Sequence, residues 1–502
     1  MSDKKEQKII NNIKEVSDYH LISSEFKSFF TSNEDIINIA KDVLGNDYCQ
    51  FEIENIKDSD SNVLFKDVKN SSFFDDYCQN KDQNIMIAAG GPAAEEQIII
   101  AATSPEIKNK FDNLIYLTKN YLESNIHHST KQIHSRNSSA LYANDYFAGH
   151  KLLKNAFLRF IFPKKYDFCN INYPKIDVKL SCNFKLLKIY FLNEFNWLYQ
   201  KVRKLCQLQT SYDLDLEKSQ ESLKIQQRLE KTNKVNLKID SKSAIEIILK
   251  NQNNKNISNN RLSQSKINKI FGNNHLIENI FLFNQDNVLR YDIHDVNSKI
   301  AKKNNVDWQE NTEIKEILMD GNNLAGIVTN NKKYIYANKL HLSLGYKVKY
   351  QFDKGIKKVK LPDHIIATGL SMVVIIRNSV KSHNIFNISS AILLNDIYVS
   401  FIAQNNDYIL LKIAAGANIG SDKYKNSYFF NILKHLEIIF DNDLIGVLSC
   451  YACCRAINSC NSTKFTKIGD DIIISSGKGG SGNSKRYYEG NFALRSLSTS
   501  QL

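Results

Sequence analysis

The sequence predicts an α/β protein, with a parallel-sheet domain assembled from segments far apart in the chain and a second domain holding a mixed or antiparallel sheet. Three observations predict it. Residues 97–136 follow a strand–helix–strand order. Strand signals joined by tight turns dominate after residue 270. Near the end, Ile472, Ile473 and Ile474 lead into Gly477, Lys478, Gly479, Gly480, Ser481 and Gly482, so four of the chain's 19 glycines fall in six positions. A glycine turn after an apolar strand implies that something approaches the backbone closely.

Taken in order, residues 1–80 are an unassigned polar extension, expected to be poorly packed apart from an amphipathic helix over 33–44. Residues 97–106 are expected to form a buried strand and turn, 109–124 a helix with Phe111, Leu114, Ile115, Leu117 and Leu122 near one face, and 130–136 the next strand. Residues 150–235 are mostly helical in pattern, and the asparagine-rich stretch 250–269 is a surface connector. Three strands are expected within 313–345, the first pair joined at Asp320-Gly321-Asn322-Asn323 and the second at 329–333. The stretches within 369–417 continue as strands.

Hydrophobic residues make up 42% and charged residues 24%, which is the composition of a globular protein. The net charge of +13 comes from scattered lysines without an arginine-rich stripe, which predicts a solvated basic surface and no nucleic-acid partner. The opening residues carry Asp3, Glu6 and Glu15 and no apolar core, which predicts no secretory leader. Nine cysteines then suit a reducing, cytoplasmic compartment.

Five stretches carry a more specific pattern. The segment 287–345 has Val306, Gly326, Val328, Thr329, Ala337 and Gly345 spaced as in a helix followed by a β-meander; 361–374 has Pro362, Gly369, Ser371 and Met372; 410–420 has Gly416 and Ala417. Ala143 and Asn144 lie in 138–145, and Arg455 precedes the glycine turn of Ser476, Gly477, Lys478, Gly479 and Gly482. On these residues, over roughly 400 positions, the chain resembles the FAD-dependent oxidoreductases of the D-amino-acid oxidase superfamily, most nearly the D-amino-acid dehydrogenase small subunit.

That resemblance implies a Rossmann-like FAD-binding domain built from 84–150, 271–350 and 451–502, a helical part and start of the substrate domain at 151–270, and a substrate-domain sheet at 351–450. FAD would be contacted by Gly345, Ser476, Gly477, Lys478, Gly479, Gly482 and Asn144, and Arg455 would hold a substrate carboxylate through paired hydrogen bonds. The implied reaction is hydride transfer from a small amino acid to flavin, with electrons passed to a membrane-associated acceptor at the inner face of a membrane.

The chain also departs from the family. Aligned on the expected helix, residues 101–106 fall on the G-x-G-x-x-G fingerprint with no glycine, and Ser135 falls on the ribose-binding acid. Gly90, Gly91 and Pro92 resemble the fingerprint better but precede a strand-like run. Lys478 replaces the family's histidine and Ala456 its proline. These losses predict impaired FAD binding and support a second expectation, a member that keeps the fold as a structural or interaction protein. Cys450, Cys453, Cys454 and Cys460 could be taken for a metal site, but strand alternation would send Cys453 and Cys454 to opposite faces, so no metal is expected. His127 and His128 are adjacent and read as surface residues.

Overall fold

The computed structural model describes residues 33–45, 61–119, 132–133, 211–240, 242–249, 261–272, 274, 276–283, 287–345, 348–359, 361, 364–394, 397–419, 426–440, 443–458, 464–476 and 485–498. The first element is α1 (Asn33–Leu44), at the residues expected; Ile36 and Ala40, one turn apart, are fully buried. After β1 (Ser61–Asp67) and α2 (Phe74–Asn80) comes the unit β2 (Ile85–Gly90), α3 (Pro92–Thr103), α4 (Pro105–Lys108) and β3 (Asn113–Leu117). The stretch expected to be a poorly packed extension thus supplies a packed helix and a sheet strand.

This unit corrects two expectations. Residues 97–103 are helical, and 113–117 are a strand. Gly91 caps α3 in an extended conformation and Pro92 occupies its first turn, where a proline's fixed φ suits a helix and its missing N–H is not needed. The helix is buried on nearly every side, so its isoleucines show no amphipathic stripe and imitate a strand. Conversely, β3 is a central parallel strand covered on both faces, and its unbroken apolar run imitates one face of a helix.

Next are β4 (Gln132–Ile133), α5 (Ser211–Asn233), β5 (Lys238–Asp240), β6 (Ser243–Leu249), α6 (Gln264–Phe271), β7 (Ile277–Phe283) and β8 (Asn287–Leu289). The end of the expected asparagine-rich connector is therefore helical, because Ile267 and Phe271 bury one face of α6. Then α7 (Ile293–Lys303) stops at Asn304 and Asn305; Asn305 has φ 61°, the left-handed position that glycine usually fills. Strands β9 (Asp307–Gln309), β10 (Ile314–Asp320), β11 (Asn323–Thr329), β12 (Tyr334–Ile335), β13 (Lys339–Ser343) and β14 (Val348–Phe352) follow, with Gly321 (φ 64°) turning β10 into β11 as expected. The remainder is β15 (His364–Arg377), α8 (Val380–Ile388), β16 (Ser389–Leu394), β17 (Ile397–Gln404), β18 (Tyr408–Ile419), α9 (Asn426–Phe440), β19 (Leu444–Asn458), β20 (Lys464–Ile468), β21 (Ile472–Ser476) and α10 (Arg486–Ser498).

Two large sheets organise the molecule. The first has order β20-β21-β13-β2-β3-β9, parallel except for β20. The second has order β19-β15-β18-β17-β16-β6-β7 and is antiparallel except where β16 runs parallel to β6. A five-stranded sheet, β12-β11-β10-β1-β14, flanks the first, and β4-β8-β5 forms a small ribbon. One face of the seven-stranded sheet is buried against α6, α8 and α9. Among the described residues no helix is long and apolar enough to cross a membrane.

The α3–α10 crossing fixes the parallel sheet's outer layer. A Cβ on Gly490 would lie 2.8 Å from the Gln97 amide nitrogen and 2.9 Å from the Ala93 carbonyl oxygen, so the helices touch backbone to backbone. Gly490→Ala is expected to cost about 1–3 kcal/mol in equilibrium denaturation through overpacking. Gly321→Ala, whose Cβ would meet nothing within 4 Å, should lose only the roughly 1–2 kcal/mol of left-handed strain. If Gly490→Ala is silent, the close crossing is wrong.

Candidate functional site

In the parallel sheet, β2 connects through α3 to β3 on one side, while β13 and β21 lie on its other side. The strand order therefore reverses between β2 and β13, and the carboxyl ends of those strands border the crevice where open α/β sheets take ligands. Gly90 ends β2 with φ 102°; a Cβ there would sit 2.4 Å from the Ser343 carbonyl oxygen at the end of β13. The Gly91 amide donates to that same oxygen at 2.7 Å, and the Tyr116 hydroxyl donates to the Gly90 carbonyl at 2.7 Å. The turn is thus clamped from both neighbouring strands before α3 begins.

The fingerprint position changes accordingly. Ala89, Gly91 and Ala94 occupy the three small-residue places of strand–G-x-G-x-x-G/A–helix, with alanine in the first. The alignment on residues 101–106 is overturned: Ala101, Ala102 and Thr103 are the last turn of α3, and Glu106 belongs to α4. The matching second strand is β3, so the ribose-facing end is Thr118 and Lys119, not Ser135. Lys119 pairs with Glu313 at 3.1 Å, and Thr118 is held in the backbone ladder by Gln309 and Thr312. Sequence reasoning noticed Gly90, Gly91 and Pro92; the decisive signal was the proline one residue into the helix.

Beneath the turn, α3 buries three consecutive polar residues, Glu95, Glu96 and Gln97, all fully inaccessible. Gln97 Oε1 accepts from His341 Nδ1, 2.5 Å away on β13, and His341 Nε2 meets the Ser475 hydroxyl at 2.9 Å on β21. Glu95 meets His294 Nδ1 at 3.0 Å and Arg486 at 3.2 Å, and receives an amide hydrogen bond from Asn297 at 2.5 Å. Glu96 pairs with Arg486 and accepts from Asn297 at 3.2 Å. Arg486 is the first residue of α10, where a cation faces the helix's own positive end; the two carboxylates offset this. Burial pushes Glu95 up, but His294, Arg486 and Asn297 outweigh it and hold its carboxyl at about 2. Burial dominates at Glu96, with Arg486 opposing and Glu95 adding repulsion, and raises its carboxyl to about 7.

The residues expected from sequence to contact cofactor or substrate divide into three groups. Gly345 lies two residues past β13 with φ 89° and open space where a Cβ would be. Ser476 ends β21, and its buried hydroxyl makes no hydrogen bond. Arg455 lies on β19 in register with Ala367 of β15. Asn144, Gly477, Lys478, Gly479 and Gly482 lie outside the described residues, as do Cys460, His127 and His128. Cys450, Cys453 and Cys454 are on β19, opposite Met372, Gly369 and Thr368.

At its phosphate end the crevice suits a dinucleotide: a glycine turn, small residues into the helix, and an unpartnered hydroxyl at the next strand end but one. At its ribose end a threonine and a lysine stand where such folds carry a carboxylate.

No family model matches the chain, and no curated protein does. Solved structures share its fold. Glycine oxidase from Bacillus cereus superposes with a TM-score of 0.51 at 10% identity, covering 84% of this chain and 96% of that one. L-proline dehydrogenase from P. horikoshii gives 0.52 at 10% identity, covering 83% and 94%. L-amino acid deaminase from Proteus myxofaciens, in complex with anthranilate, gives 0.52 at 9% identity, covering 83% and 90%. The architecture is thus a Rossmann-like domain joined to a second domain with a mainly antiparallel sheet.

The raised Glu96 carboxyl has a signed consequence. A group with a raised folded-state pKa contributes stability that is full below its unfolded value of 4.5 and is lost as pH rises through about 7. Denaturation of the full chain should therefore become easier from about pH 4.5 to about pH 7 and level off above that. Glu96→Gln, which stays neutral, should flatten that part of the profile. An identical slope in the variant would remove Glu96 as its source.

Proposed function

We propose that the chain is an FAD-dependent oxidoreductase acting on a small amino acid, in the manner of a D-amino-acid dehydrogenase. The observation that carries this reading is the clamped Gly90–Gly91 turn at the switch point between β2 and β13, in a fold shared with enzymes whose names specify glycine, L-proline and L-amino acids. Gly90, Gly91, Gly345, Ser476 and the 477–482 turn would hold the cofactor, with Asn144 and Lys478 beside it. A bound flavin supplies the hydride acceptor. The chain's part is positional: Arg455 takes the substrate carboxylate in two parallel hydrogen bonds, which orients the reacting carbon. The electron acceptor would be membrane-associated, which would place a cytoplasmic protein at the inner face of a membrane.

One observation favours a second reading, a structural or interaction protein that retains the fold. Thr118 and Lys119 provide no carboxylate for a ribose, and Pro92 brings no amide to the start of α3.

Absorbance separates the two. Purified protein, or protein incubated with FAD, should show the flavin band near ~450 nm; a chain that stays colourless supports the second reading. In the yellow protein, Arg455→Ala should lower kcat/KM by about 100-fold, the value of two charge-assisted hydrogen bonds. An unchanged kcat/KM would remove the carboxylate clamp.

A further inference from the structure

The carboxylate that β3 lacks at the ribose end is present on the next strand. In such folds an acid at the end of the second strand accepts a hydrogen bond from a ribose hydroxyl. Here that end carries Thr118, 6% exposed, and Lys119, which is tied to Glu313 and Ser61. Strand β9 runs parallel to β3 on its outer side, with Leu117 beside Gln309. The Thr118 amide donates to the Gln309 carbonyl, and the Thr312 amide donates to the Thr118 carbonyl. Glu310 therefore stands opposite Thr118, one strand spacing away, about 5 Å.

Side-chain alternation decides which way Glu310 faces. Strand β3 sends Leu114 and Tyr116 into the core beneath α3, and Ile115 and Leu117 toward the five-stranded sheet. On β9, Trp308 lies on the α3 side, its ring 4.3 Å from Tyr116 and 5.1 Å from His294. The Trp308 indole N–H donates to Glu310 Oε1 at 3.2 Å, and His294 Nε2 lies 3.6 Å from the same oxygen. Glu310 is thus on the α3 side. Glu313, just ahead of β10 and paired with Lys119 and Lys315, belongs to the side of the five-stranded sheet.

Three features suit Glu310 to a ligand. Both contacts use Oε1 and the side chain is 49% exposed, so the carboxylate can be reached from solvent. Its direction is fixed, because Trp308 packs against Tyr116 and His294, and His294 is held by Glu95 of α3. Finally, Tyr116 donates to the Gly90 carbonyl, so one aromatic cluster ties this carboxylate to the glycine turn at the phosphate end. Continued by one residue, the strand registers place Gly90, Thr118 and Glu310 in a single row. The row spans roughly 10 Å, the reach of a nucleoside phosphate.

We propose that Glu310 is the ribose-binding carboxylate of the dinucleotide site, supplied from β9 in place of the acid that β3 lacks. It accepts hydrogen bonds from the hydroxyls of the adenosine ribose and so selects nucleotides whose ribose is intact. This rests on the flavin reading above.

Calorimetry on the full chain tests it, with FAD, 5′-ADP and 2′-deoxy-ADP as probes. The native protein should bind ADP about tenfold more tightly than 2′-deoxy-ADP, the value of one hydrogen bond to a charged group. Glu310→Ala should bring that ratio close to one and weaken FAD by at least about tenfold. Glu313→Gln, on the other side of the sheet, should leave both as they are. If Glu310→Ala lowers Tm, Glu310→Gln decides: it keeps an acceptor for Trp308 and should still cut the ratio to about threefold or less. A ratio that survives the Glu310 substitutions, or a native chain indifferent to the 2′-hydroxyl, overturns the proposal. A chain that binds FAD equally well with and without Glu310 sinks the ribose contact alone. A chain that takes no FAD yet keeps the Glu310-dependent ADP ratio sinks the flavin reading alone, and a chain that binds none of the three probes sinks both.

Discussion

The fold's most demanding interaction is the burial of Arg486 against Glu95 and Glu96. All three side chains are inaccessible to water, and each ion would cost several kcal/mol to bury alone. The cost is met because three elements meet there: α3 brings the carboxylates, α7 brings His294 and Asn297, and α10 brings the guanidinium. The helices must stay in mutual register for the charges to cancel. Gly490, one helical turn beyond Arg486, permits the close approach that this register requires. An apolar layer could slide to a new packing at modest cost; this one would strand a charge.

The same layer is coupled to the crevice. Gln97 follows the two glutamates and engages His341, which reaches Ser475 on the next strand. A chain of polar contacts therefore runs from helix α3 through β13 to β21, just below the strand ends at Gly90, Ser343 and Ser476. Hydrogen bonds of this kind fix side-chain orientation more sharply than apolar packing, because an unmet partner in the interior is expensive. The crevice is thus supported by a rigid floor of buried polar side chains, Glu95, Glu96, Gln97, His341 and Ser475 among them.

What was legible in the sequence follows from which signals are local. The helix over 33–44 has its own period, and the β10–β11 hairpin has its own glycine, so both were visible. The unit β2–α3–β3 was misregistered by about one element, because a helix and a strand that are covered on all sides lose the polar stripe that marks their period. Asn305 shows a subtler loss: it adopts the backbone shape that glycine would advertise, so the residue type conceals the turn. The Arg486 cluster could not be read at all. Its members lie hundreds of residues apart, and only the packing of α3, α7 and α10 brings them together.

The position of β21 has a consequence for how the molecule is made. It pairs with β13 inside the parallel sheet, and α10 closes over α3, yet both are among the last described segments to leave the ribosome. Until then the nascent chain carries an open edge along β13 and two carboxylates waiting for their arginine. Synthesis at roughly 5–20 residues per second leaves that intermediate exposed for tens of seconds, long enough for chaperones to engage it. The nucleotide-type domain therefore completes itself only once β21 and α10 have emerged, and a chain stalled before Ile472 would present that edge to other proteins.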